Sequence, residues 1–448
     1  MKTSTLFTCS SCDHSAPRWF GRCPNCDSWD TVTSSSVSPR SRAAAPAIEV
    51  HGLSAAHATP ERLRSGIAEL DRVLGGGLVP GSVVLLSGDP GIGKSTLVLQ
   101  MIEGFQAAGH RALLVTAEES LDQVALRAAR LGLDGPSLRA AASSSLPAIL
   151  ETAAAESCDL LVIDSIQTVE DPVHGSAAGS VVQVRECAAA LVRFAKATGT
   201  AVVMIGHVTK EGTVAGPRTL EHLVDAVMSL EGERTGTFRL LRGLKNRFGS
   251  CDEVGVFSMN TTGMEGVGDP STMFLADRLP GTAGSAVFAG LEGIRPVLVE
   301  VQALVVPTTA PQPRRVAIGC DQKRLSLLLG IMTKVNGPTL AMSDIFVASA
   351  GGLQVREPAA DLSIGLALIS SLSERPLPAS AVAVGELGLA GEVRRVPGIE
   401  RRMAEAERLG FTTAVVPKGS ALGSTSMRVV EVSTLQQAVD VTWTTAVA

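Results

Sequence analysis

The sequence has few of the side chains on which nucleic-acid bases stack. It contains no tyrosine, and aromatic residues make up 3% of its 448 residues. A base-stacking platform is therefore not the expected way for this chain to hold a ligand. The net charge of −5 excludes a uniformly basic coat for nucleic acid, but it leaves room for a local basic groove or ring channel.

Long apolar segments are also missing. No run reaches the roughly 18 consecutive apolar residues that a membrane span needs, and the amino terminus has no apolar secretion signal. We therefore expect a cytoplasmic protein without a membrane partner. Apolar residues still make up 45% of the chain, which is typical of globular domains. At about 150 residues per domain, the length suggests about three of them.

One stretch matches the phosphate-loop pattern G-x-x-x-x-G-K-[ST]. Its residues are Gly88, Asp89, Pro90, Gly91, Ile92, Gly93, Lys94, Ser95 and Thr96. It follows the apolar run 83–86 and precedes the helical pattern 97–102, the strand–loop–helix order that such a loop requires. The pattern predicts a site for a nucleoside triphosphate, with Lys94 at the β and γ phosphates and the Ser95 hydroxyl at Mg²⁺. A chance glycine-rich turn is the alternative.

Strands and helices alternate after this loop. Near-continuous apolar runs predict strands at 112–116, 160–163 and 201–205, and amphipathic patterns predict helices at 121–131 and 181–197. Such an order is typical of a parallel sheet that helices cover on both faces. Ligands of these sheets lie beyond the carboxyl ends of the strands.

Several polar residues follow directly after the predicted strands. Asp164 stands where a Walker-B carboxylate holds Mg²⁺, although a helix-capping role is also open. Glu118 and Glu119 are placed to polarise the attacking water, and we favour Glu118; acidic side chains that simply favour a helix start are the alternative. His207 is a candidate reporter of the γ-phosphate, or an ordinary structural histidine.

Four of the eight cysteines lie near the amino terminus. Cys9 and Cys12 form one pair with C-x-x-C spacing, and Cys23 and Cys26 form a second. Two such pairs supply four thiolates for a tetrahedral Zn²⁺ of structural type, whose binding would stabilise a module with almost no core. Disulfides are the alternative, which the expected cytoplasmic location disfavours.

The rest of the chain before the phosphate loop divides into two parts. Residues 31–59 are rich in Ser, Ala and Pro, which predicts a flexible linker. Apolar residues spaced at 63, 67, 70, 73 and 74 then predict a helix that stops at three glycines.

The four remaining cysteines are expected to be buried small apolar residues; they are Cys158, Cys187, Cys251 and Cys320.

Lys245 and Arg247 are two cations spaced two residues apart. On an extended strand both side chains would point to one face. Such a pair can enter the nucleotide site of a neighbouring subunit as an arginine finger. By itself, however, the spacing favours a solvated pair of charges.

Four segments of this chain occur together in one known group of proteins. They are the two cysteine pairs, the segment Leu-Asp-Arg-Val-Leu-Gly-Gly-Gly at 70–77, the phosphate loop, and Lys-Asn-Arg-Phe-Gly at 245–249. Together they resemble the bacterial RadA (Sms) family of DNA repair proteins. The resemblance implies an α/β chain with a four-cysteine zinc module at 1–30, the linker at 31–59, a RecA-like P-loop ATPase domain with a parallel sheet at 60–268, and a Lon-protease-like α+β domain at 269–448.

The resemblance also implies an activity. Members are DNA-dependent ATPases that form hexameric rings on single-stranded DNA and promote branch migration of recombination intermediates together with RecA; they also resemble the helicase DnaB. It makes Lys245 and Arg247 catalytic residues that act on a neighbouring subunit. It further makes the loop 209–220, with Lys210 and Arg218, a DNA-contacting segment, where a plain surface loop is the alternative. ATP, Mg²⁺ and Zn²⁺ are the implied cofactors.

The C-terminal segment resembles a Lon protease domain that lacks its catalytic pair. Lon uses a serine that a lysine activates. In this resemblance, Ala360 stands at the serine position and Glu400 at the lysine position. Ser363 lies nearby, but no lysine occurs between Lys334 and Lys418, so we expect no peptidase activity. Four arginines are expected to line a DNA-facing surface or, equally, a solvated helix face; they are Arg394, Arg395, Arg401 and Arg402.

Three functions are consistent with these observations. The first is a motor ATPase on DNA, and the second is a recombination mediator whose ATP state switches its grip on DNA without movement. The third is a protein-directed unfoldase, which the Lon-like segment and the acidic net charge suggest. Stimulation of ATP hydrolysis by DNA, and movement along it, separate the three.

Overall fold

The structure of the protein is a computed structural model. It describes residues 4–9, 15–16, 18–26, 28–29, 31–37, 61–133, 138–173, 175–207, 220–232, 237–336 and 338–444. The chain forms two compact units, Met1–Thr59 and Pro60–Ala448. None of the helices in the described ranges is long and apolar enough to cross a membrane.

The amino-terminal unit is built on a small antiparallel sheet. Its strands are β1 (Ser4–Cys9), β2 (Ser15–Ala16) and β3 (Val32–Val37), with β1 in the middle. β3 lies inside the range expected to be a linker and pairs with β1 along its whole length. We correct the start of the linker accordingly: serine-rich composition resembles a linker, but a strand of short polar residues is stable when a neighbour satisfies its backbone groups.

The larger unit begins with a nine-stranded sheet in the order β12-β11-β10-β9-β4-β8-β7-β5-β6. Its strands are β4 (Val83–Gly88), β5 (Ala112–Thr116), β6 (Arg139–Ala142), β7 (Leu160–Asp164), β8 (Ala201–His207), β9 (Ala226–Glu231), β10 (Phe238–Asn246), β11 (Val254–Asn260) and β12 (Gly263–Gly266). The strands from β9 to β6 are parallel, as the sequence predicts. The strands from β10 to β12 extend the sheet with antiparallel pairs.

Helices cover both faces of the parallel part. They are α1 (Ala68–Leu74), α2 (Lys94–Ala107), α3 (Leu121–Arg130), α4 (Leu146–Glu156) and α5 (Val181–Thr198). Alternate residues of each strand point to opposite faces: Leu160 and Val162 pack in one core with α1 to α3, and Leu161 and Ile163 pack in the other with α4 and α5. Continuous apolar strands are therefore buried on both sides.

The helix expected to start at residue 63 begins five residues later, at Ala68. Gly66 has a positive φ of 75°, which ends any helix that includes it. Leu63 instead pairs with Leu78 in an isolated antiparallel bridge. The Asp71 side chain accepts a 2.9 Å hydrogen bond from the Ser65 backbone N–H, so the turn before α1 is fixed by a residue of the helix itself.

The remaining residues, 269–448, are called the C-terminal region here. A seven-stranded mixed sheet runs in the order β15-β16-β14-β13-β17-β20-β21, and β18 pairs with β19. The strands are β13 (Ser285–Glu292), β14 (Arg295–Pro307), β15 (Arg315–Ile318), β16 (Ser343–Ser349), β17 (Ala381–Ala383), β18 (Glu386–Leu387), β19 (Val393–Arg394), β20 (Thr413–Pro417) and β21 (Arg428–Val432). The helices are α6 (Pro270–Phe274), α7 (Gln322–Asn336), α8 (Asp361–Ser373), α9 (Ile399–Arg408) and α10 (Leu435–Thr444).

The expectation for the scattered cysteines is confirmed in part. Cys158 and Cys187 are buried with free thiols, and burial raises the pKa of the Cys187 thiol to about 11. Cys320 is half-buried, and burial raises its pKa to about 11 as well. Cys251 is exposed, so that part of the prediction is wrong: its position in the turn after β10 places it at the surface.

Candidate active site

The parallel register brings the polar strand ends to one edge of the central sheet. Gly88 at the end of β4 pairs with His207 at the end of β8, and Thr116 at the end of β5 pairs with Asp164 at the end of β7. Glu118 follows β5 by two residues. The four strand ends singled out in the sequence therefore meet in space.

The phosphate loop joins β4 to α2 through glycines with unusual backbone angles. Gly91 has a φ of 78° and Gly93 a φ of 115°, values in the left-handed region that a residue with a Cβ rarely adopts. Gly93 is also the residue before the first turn of α2. The free N–H groups of that turn and the helix dipole favour an anion at this point.

Lys94 is held inside the loop rather than in solvent. The residue is 4% exposed, and its Nζ donates to the carbonyl oxygens of Gly88 (2.8 Å) and Asp89 (3.0 Å). Burial lowers the pKa of Lys94, and the nearby carboxylates of Asp164, Asp89 and Glu118 act in the opposite direction. The ammonium group is thus fixed where phosphate oxygens would meet it.

Ser95 and Asp164 form the contact that fits a magnesium ion. The Ser95 hydroxyl donates a 2.7 Å hydrogen bond to Asp164 Oδ2. Burial raises the pKa of Asp164, which the hydrogen bond from Ser95 partly offsets. A hydroxyl beside a carboxylate supplies the hard oxygen ligands that Mg²⁺ prefers. The peptide bond between Asp164 and Ser165 is cis.

Glu118 is the better placed of the two glutamates to act on a water molecule. Its Oε2 lies 3.5 Å from His207 Nε2, and its Oε1 accepts a hydrogen bond from the Ser165 hydroxyl. The contact with His207, followed by that with Ser165, lowers the pKa of Glu118 against the effect of burial. Glu119 is instead paired with Arg127, whose Nη2 lies 2.5 Å from Glu119 Oε1.

His207 joins this cluster to a neighbouring loop. Its backbone carbonyl accepts a 3.3 Å hydrogen bond from Gln167 Nε2, on the segment after β7. Within the described part of the chain, the buried His207 Nδ1 has no hydrogen-bond partner.

These residues line a cavity of about 250 Å³. Its walls are formed by Pro90, Gly91, Gly93, Lys94, Ser95, Thr96, Glu118, Glu119, Arg127, Asp164 and His207. The lining combines two cations and the start of α2 with the three carboxylates of Glu118, Glu119 and Asp164. This polarity suits a magnesium–triphosphate group.

Lys245 and Arg247 lie at the opposite edge of the same sheet. β9 pairs with β4 so that Leu230 is beside Gly88, while Ala226 is beside Val84; Asn246 of β10 pairs with Ala226. The length of β4, about 17 Å at ~3.3 Å per residue, therefore separates the pair from the phosphate loop of the same chain.

The two cations of this segment have different surroundings. Lys245 Nζ donates to the carbonyls of Glu221 (2.6 Å) and Val224 (2.7 Å), and burial lowers its pKa. Arg247 Nη1 lies 3.1 Å from Asp225 Oδ1, and 49% of the Arg247 side chain remains exposed. A register shift between Gly243 and Lys245 interrupts β10 just before them.

The cysteine cluster of the amino-terminal unit fits a zinc ion. The sulfurs of Cys9, Cys23 and Cys26 lie within 4.8 Å of one another, and Cys9 and Cys26 are separated by 3.7 Å. Two thiolates on a tetrahedral zinc with bonds of about 2.3 Å are about 3.8 Å apart, whereas a disulfide requires about 2.05 Å. Cys12, the fourth predicted ligand, lies outside the described residues.

The structure describes some of the residues that are expected to contact DNA. Lys210 and Arg218 lie outside the described residues. Arg394, Arg395 and Arg401 are exposed. Arg402 is not: it is 1% exposed, and its guanidinium donates to both carboxylate oxygens of Glu357 and to the Ala289 carbonyl. We therefore remove Arg402 from that surface, because its side chain fills the core beneath α9.

The positions compared with the Lon catalytic pair do not form a nucleophilic site. Ala360 is buried, and Glu400 is exposed on the first turn of α9. Ser363 is fully buried and donates a 2.5 Å hydrogen bond to the Ala383 carbonyl. Its hydroxyl is thus committed to the core.

A parallel sheet with a phosphate loop at its carboxyl edge identifies this protein as a RecA-like P-loop ATPase. The ATPase family described as KaiC matches residues 63–253. The rubredoxin metal-binding domain matches residues 7–34, and the family of subunit ChlI of Mg-chelatase matches residues 343–420.

Comparison with named proteins narrows the class. The DNA repair protein RadA of Listeria monocytogenes is 45% identical over 94% of this chain and 93% of its own length. RadA of Pseudomonas aeruginosa is 45% identical over 98% and 99%, and RadA of Bacillus subtilis is 43% identical over 96% of each chain. The chain belongs to the RadA family of DNA repair proteins, as its motifs predict, and is a DNA repair ATPase.

Three contacts of the site were not foreseen in the sequence. Ser165, Arg127 and Gln167 bond to Glu118, Glu119 and His207, respectively. Ser165 directly follows Asp164 in the sequence, which is a usable signal. No local sequence pattern predicts the contacts of Arg127 and Gln167, because the fold brings their partners to them.

Proposed function

We propose that this protein is a ring-forming ATPase motor that moves along single-stranded DNA and promotes branch migration of recombination intermediates. The observation that carries this proposal is the separation of Lys94 and Arg247 on opposite edges of one sheet. A protomer with its phosphate site on one side and a half-exposed arginine on the other can complete its neighbour's site. Repeated head-to-tail contacts of this kind close into a ring.

Within the site, each residue has a proposed task. The loop N–H groups and Lys94 bind the phosphates of ATP and orient the γ-phosphate. Ser95 and Asp164 hold Mg²⁺, which neutralises charge on the phosphate oxygens when bound. Glu118, ionised because its pKa is lowered, accepts a hydrogen bond from the attacking water and orients it in line. His207 and Ser165 hold the Glu118 carboxylate in place.

Arg247 of the adjacent protomer is proposed to stabilise the charge that develops on the transferred phosphoryl group. Its exposed guanidinium can leave Asp225 for a stronger anion. We propose that Lys245, bonded to two carbonyls, mainly fixes the segment 221–225, whose Asp225 pairs with Arg247. Arg247 thus keeps the role in trans that the family resemblance implies, whereas Lys245 supports it from within its own protomer.

The wider setting is also part of the proposal. We propose a hexameric ring in the cytoplasm, with single-stranded and branched DNA and RecA as partners. Residues 60–268 form the ATPase domain and residues 269–448 a scaffold without peptidase activity. The amino-terminal cysteines hold Zn²⁺ in a module that contacts DNA or a partner protein.

The test is steady-state ATP hydrolysis with and without single-stranded DNA. We expect DNA to stimulate the wild type, and stimulation to weaken steeply with salt because phosphate contacts release counterions. Lys94→Ala should hydrolyse no ATP under either condition. Absence of stimulation at low salt contradicts the proposal.

A strand-displacement or branch-migration assay then separates a motor from a mediator. The motor requires movement that depends on hydrolysis, so a slowly hydrolysed ATP analogue should support DNA binding and block movement. ATP-dependent DNA binding without any movement would favour the mediator instead.

A further inference from the structure

The β11–β12 hairpin connects the phosphate loop to the C-terminal region. β11 runs from Val254 to Asn260 and pairs in antiparallel fashion with β12, so the hairpin has its turn at 260–263 and its base at 254 and 267. Its span is about 20 Å at ~3.3 Å per residue. The two ends contact different parts of the molecule.

The tip of the hairpin packs against the phosphate loop. A Cβ placed on Gly93 would lie 2.5 Å from Met264 Cε and 2.7 Å from Met259 Cε, so the two methionines directly contact the loop at that glycine. The Met264 N–H donates a 2.9 Å hydrogen bond to Gln100 Oε1, which ties the tip to α2. A shift of the tip would therefore change the contacts of Gly93 and of the first turns of α2.

A second contact supports the same loop from the adjacent strand. Arg239 of β10 is 3% exposed, and its Nε donates a 3.1 Å hydrogen bond to the Ile92 carbonyl. The loop therefore lies on the antiparallel extension of the sheet, which sequence patterns do not link to the phosphate site.

The base of the hairpin is clamped by one arginine of the C-terminal region. Arg295, the first residue of β14, donates to the carbonyls of Val254 (3.1 Å), Val267 (3.1 Å) and Gly268 (2.8 Å). Its Nη1 also donates to Glu69 Oε2.

Glu69 of α1 completes the clamp. The same carboxylate oxygen accepts a 2.9 Å hydrogen bond from the Val256 N–H, one of the hairpin amides. The side chains of Arg295 and Glu69 are 9% and 3% exposed. A buried pair of this kind fixes geometry, because moving either partner leaves charge and backbone groups unsatisfied.

We propose that Arg295 is a positioning residue for the phosphate loop. By fixing the base of the β11–β12 hairpin, it holds the methionine tip against Gly93, and the C-terminal region thereby sets the affinity of the loop for a nucleoside triphosphate. This inference rests on the proposed use of the loop for ATP.

The junction offers a matched control. Arg242 of β10 also crosses to the C-terminal region, where its Nη2 donates to Glu292, and its Nε lies 3.1 Å from Glu231 Oε2. Its side chain makes these two ion pairs instead of bonding to the hairpin base. Arg242→Gln thus removes an ion pair between the two regions and spares the clamp.

The experiment measures the Kd of a fluorescent ATP analogue with Mg²⁺, and KM and kcat for ATP, on full-length variants. We expect Arg295→Gln and Met264→Ala each to raise Kd and KM about 5-fold or more with a smaller change in kcat. The double variant should have a Kd no higher than that of the weaker-binding single variant, because both changes interrupt the same chain of contacts from Arg295 through the hairpin to Gly93. Arg242→Gln should stay within about two-fold of wild type, and Arg295→Lys should recover part of the loss.

Three results would overturn the inference. They are an unchanged Kd in Arg295→Gln, an equal loss in Arg242→Gln, and a double variant whose loss is the product of the two single losses. Nucleotide binding by the wild type and by Lys94→Ala separates failure of the proposed function from failure of this inference. If the wild type binds no nucleotide, the proposed function fails. If the wild type binds nucleotide and Lys94→Ala does not, the phosphate loop is the nucleotide site, and the three results above then bear only on the role of Arg295.

Hydrogen exchange on the wild type gives a readout that does not depend on the folding of any variant. Coupling between two sites is reciprocal. Binding of the nucleotide analogue at the phosphate loop should therefore slow hydrogen exchange of the Val256 and Val267 amides at the hairpin base. Exchange at those amides that is identical with and without the nucleotide analogue counts against the proposal.

Discussion

Ser95 lies on the first turn of α2 and Asp164 at the end of β7, yet the Ser95 hydroxyl donates a 2.7 Å hydrogen bond to Asp164 Oδ2. Burial raises the pKa of Asp164 even with that hydrogen bond in place. Burial therefore disfavours the charged form of Asp164, so folding with this carboxylate ionised costs free energy.

The first prediction concerns Asp164→Asn. A carboxyl group whose pKa is raised by folding stabilises the fold less once the pH rises from about 3.9, its unfolded value, through the raised native value. The neutral asparagine avoids this loss. We expect a higher Tm than wild type at neutral pH without nucleotide, a gap that narrows toward acid pH, and no magnesium-dependent hydrolysis. A lower Tm at neutral pH contradicts the argument.

The second prediction compares Glu118→Gln with Glu119→Gln. Removing the proposed base should lower kcat by about 10²- to 10⁴-fold while nucleotide binding persists. Glu119→Gln is the matched control, because its carboxylate is paired with Arg127 and its loss should cost kcat far less. Equal losses in the two variants would argue that the acidic pair acts only through its charge.

The pH profile of the wild type bears on the same residue. The lowered pKa of Glu118 keeps it ionised to more acidic pH than an ordinary glutamate, whereas the raised pKa of Asp164 lets that group protonate at a higher pH than an ordinary aspartate. As pH falls, we expect magnesium-dependent nucleotide binding to weaken at a higher pH than an ordinary aspartate would give, and the proposed action of Glu118 on water to persist to a lower pH than an ordinary glutamate would give. The measurement is Kd and kcat across an acid series.

A third prediction uses complementation. Arg247→Ala should bind nucleotide and fail to turn it over, and Lys94→Ala should be inactive as well. If Arg247 acts in the neighbouring site, an equal mixture of the two variants has about one quarter of its interfaces intact and regains activity. If the mixture stays inactive although the subunits are shown to exchange, Arg247 acts on the nucleotide site of its own protomer.

The fourth prediction concerns the cysteine cluster. Cys9→Ser removes a buried sulfur that lies 3.7 Å from Cys26 Sγ, so the purified variant should lose its zinc. Metal content by mass spectrometry measures this directly, with Cys251→Ser as a control at an exposed free thiol. Full metal occupancy in Cys9→Ser would exclude it as a ligand. Normal hydrolysis after metal loss would confine the module to DNA or partner contacts.

Several parts of this protein can be predicted from local sequence patterns. The phosphate loop between 88 and 96, the strands that end near Glu118, Asp164 and His207, and the cysteine spacing are each written within a few neighbouring residues. Parallel strands necessarily bring their carboxyl ends to one edge, so the strand pattern alone predicted that those side chains meet.

Which distant groups are paired depends on the three-dimensional fold of the chain. Glu69 and Arg295 are separated by 226 positions, and no periodicity records such a contact. The same reason explains why Arg402 is a core residue and not a surface one, and why the β11–β12 hairpin lies against Gly93. Local patterns fix the face and length of an element, but burial and ion pairing depend on what the rest of the chain packs against it.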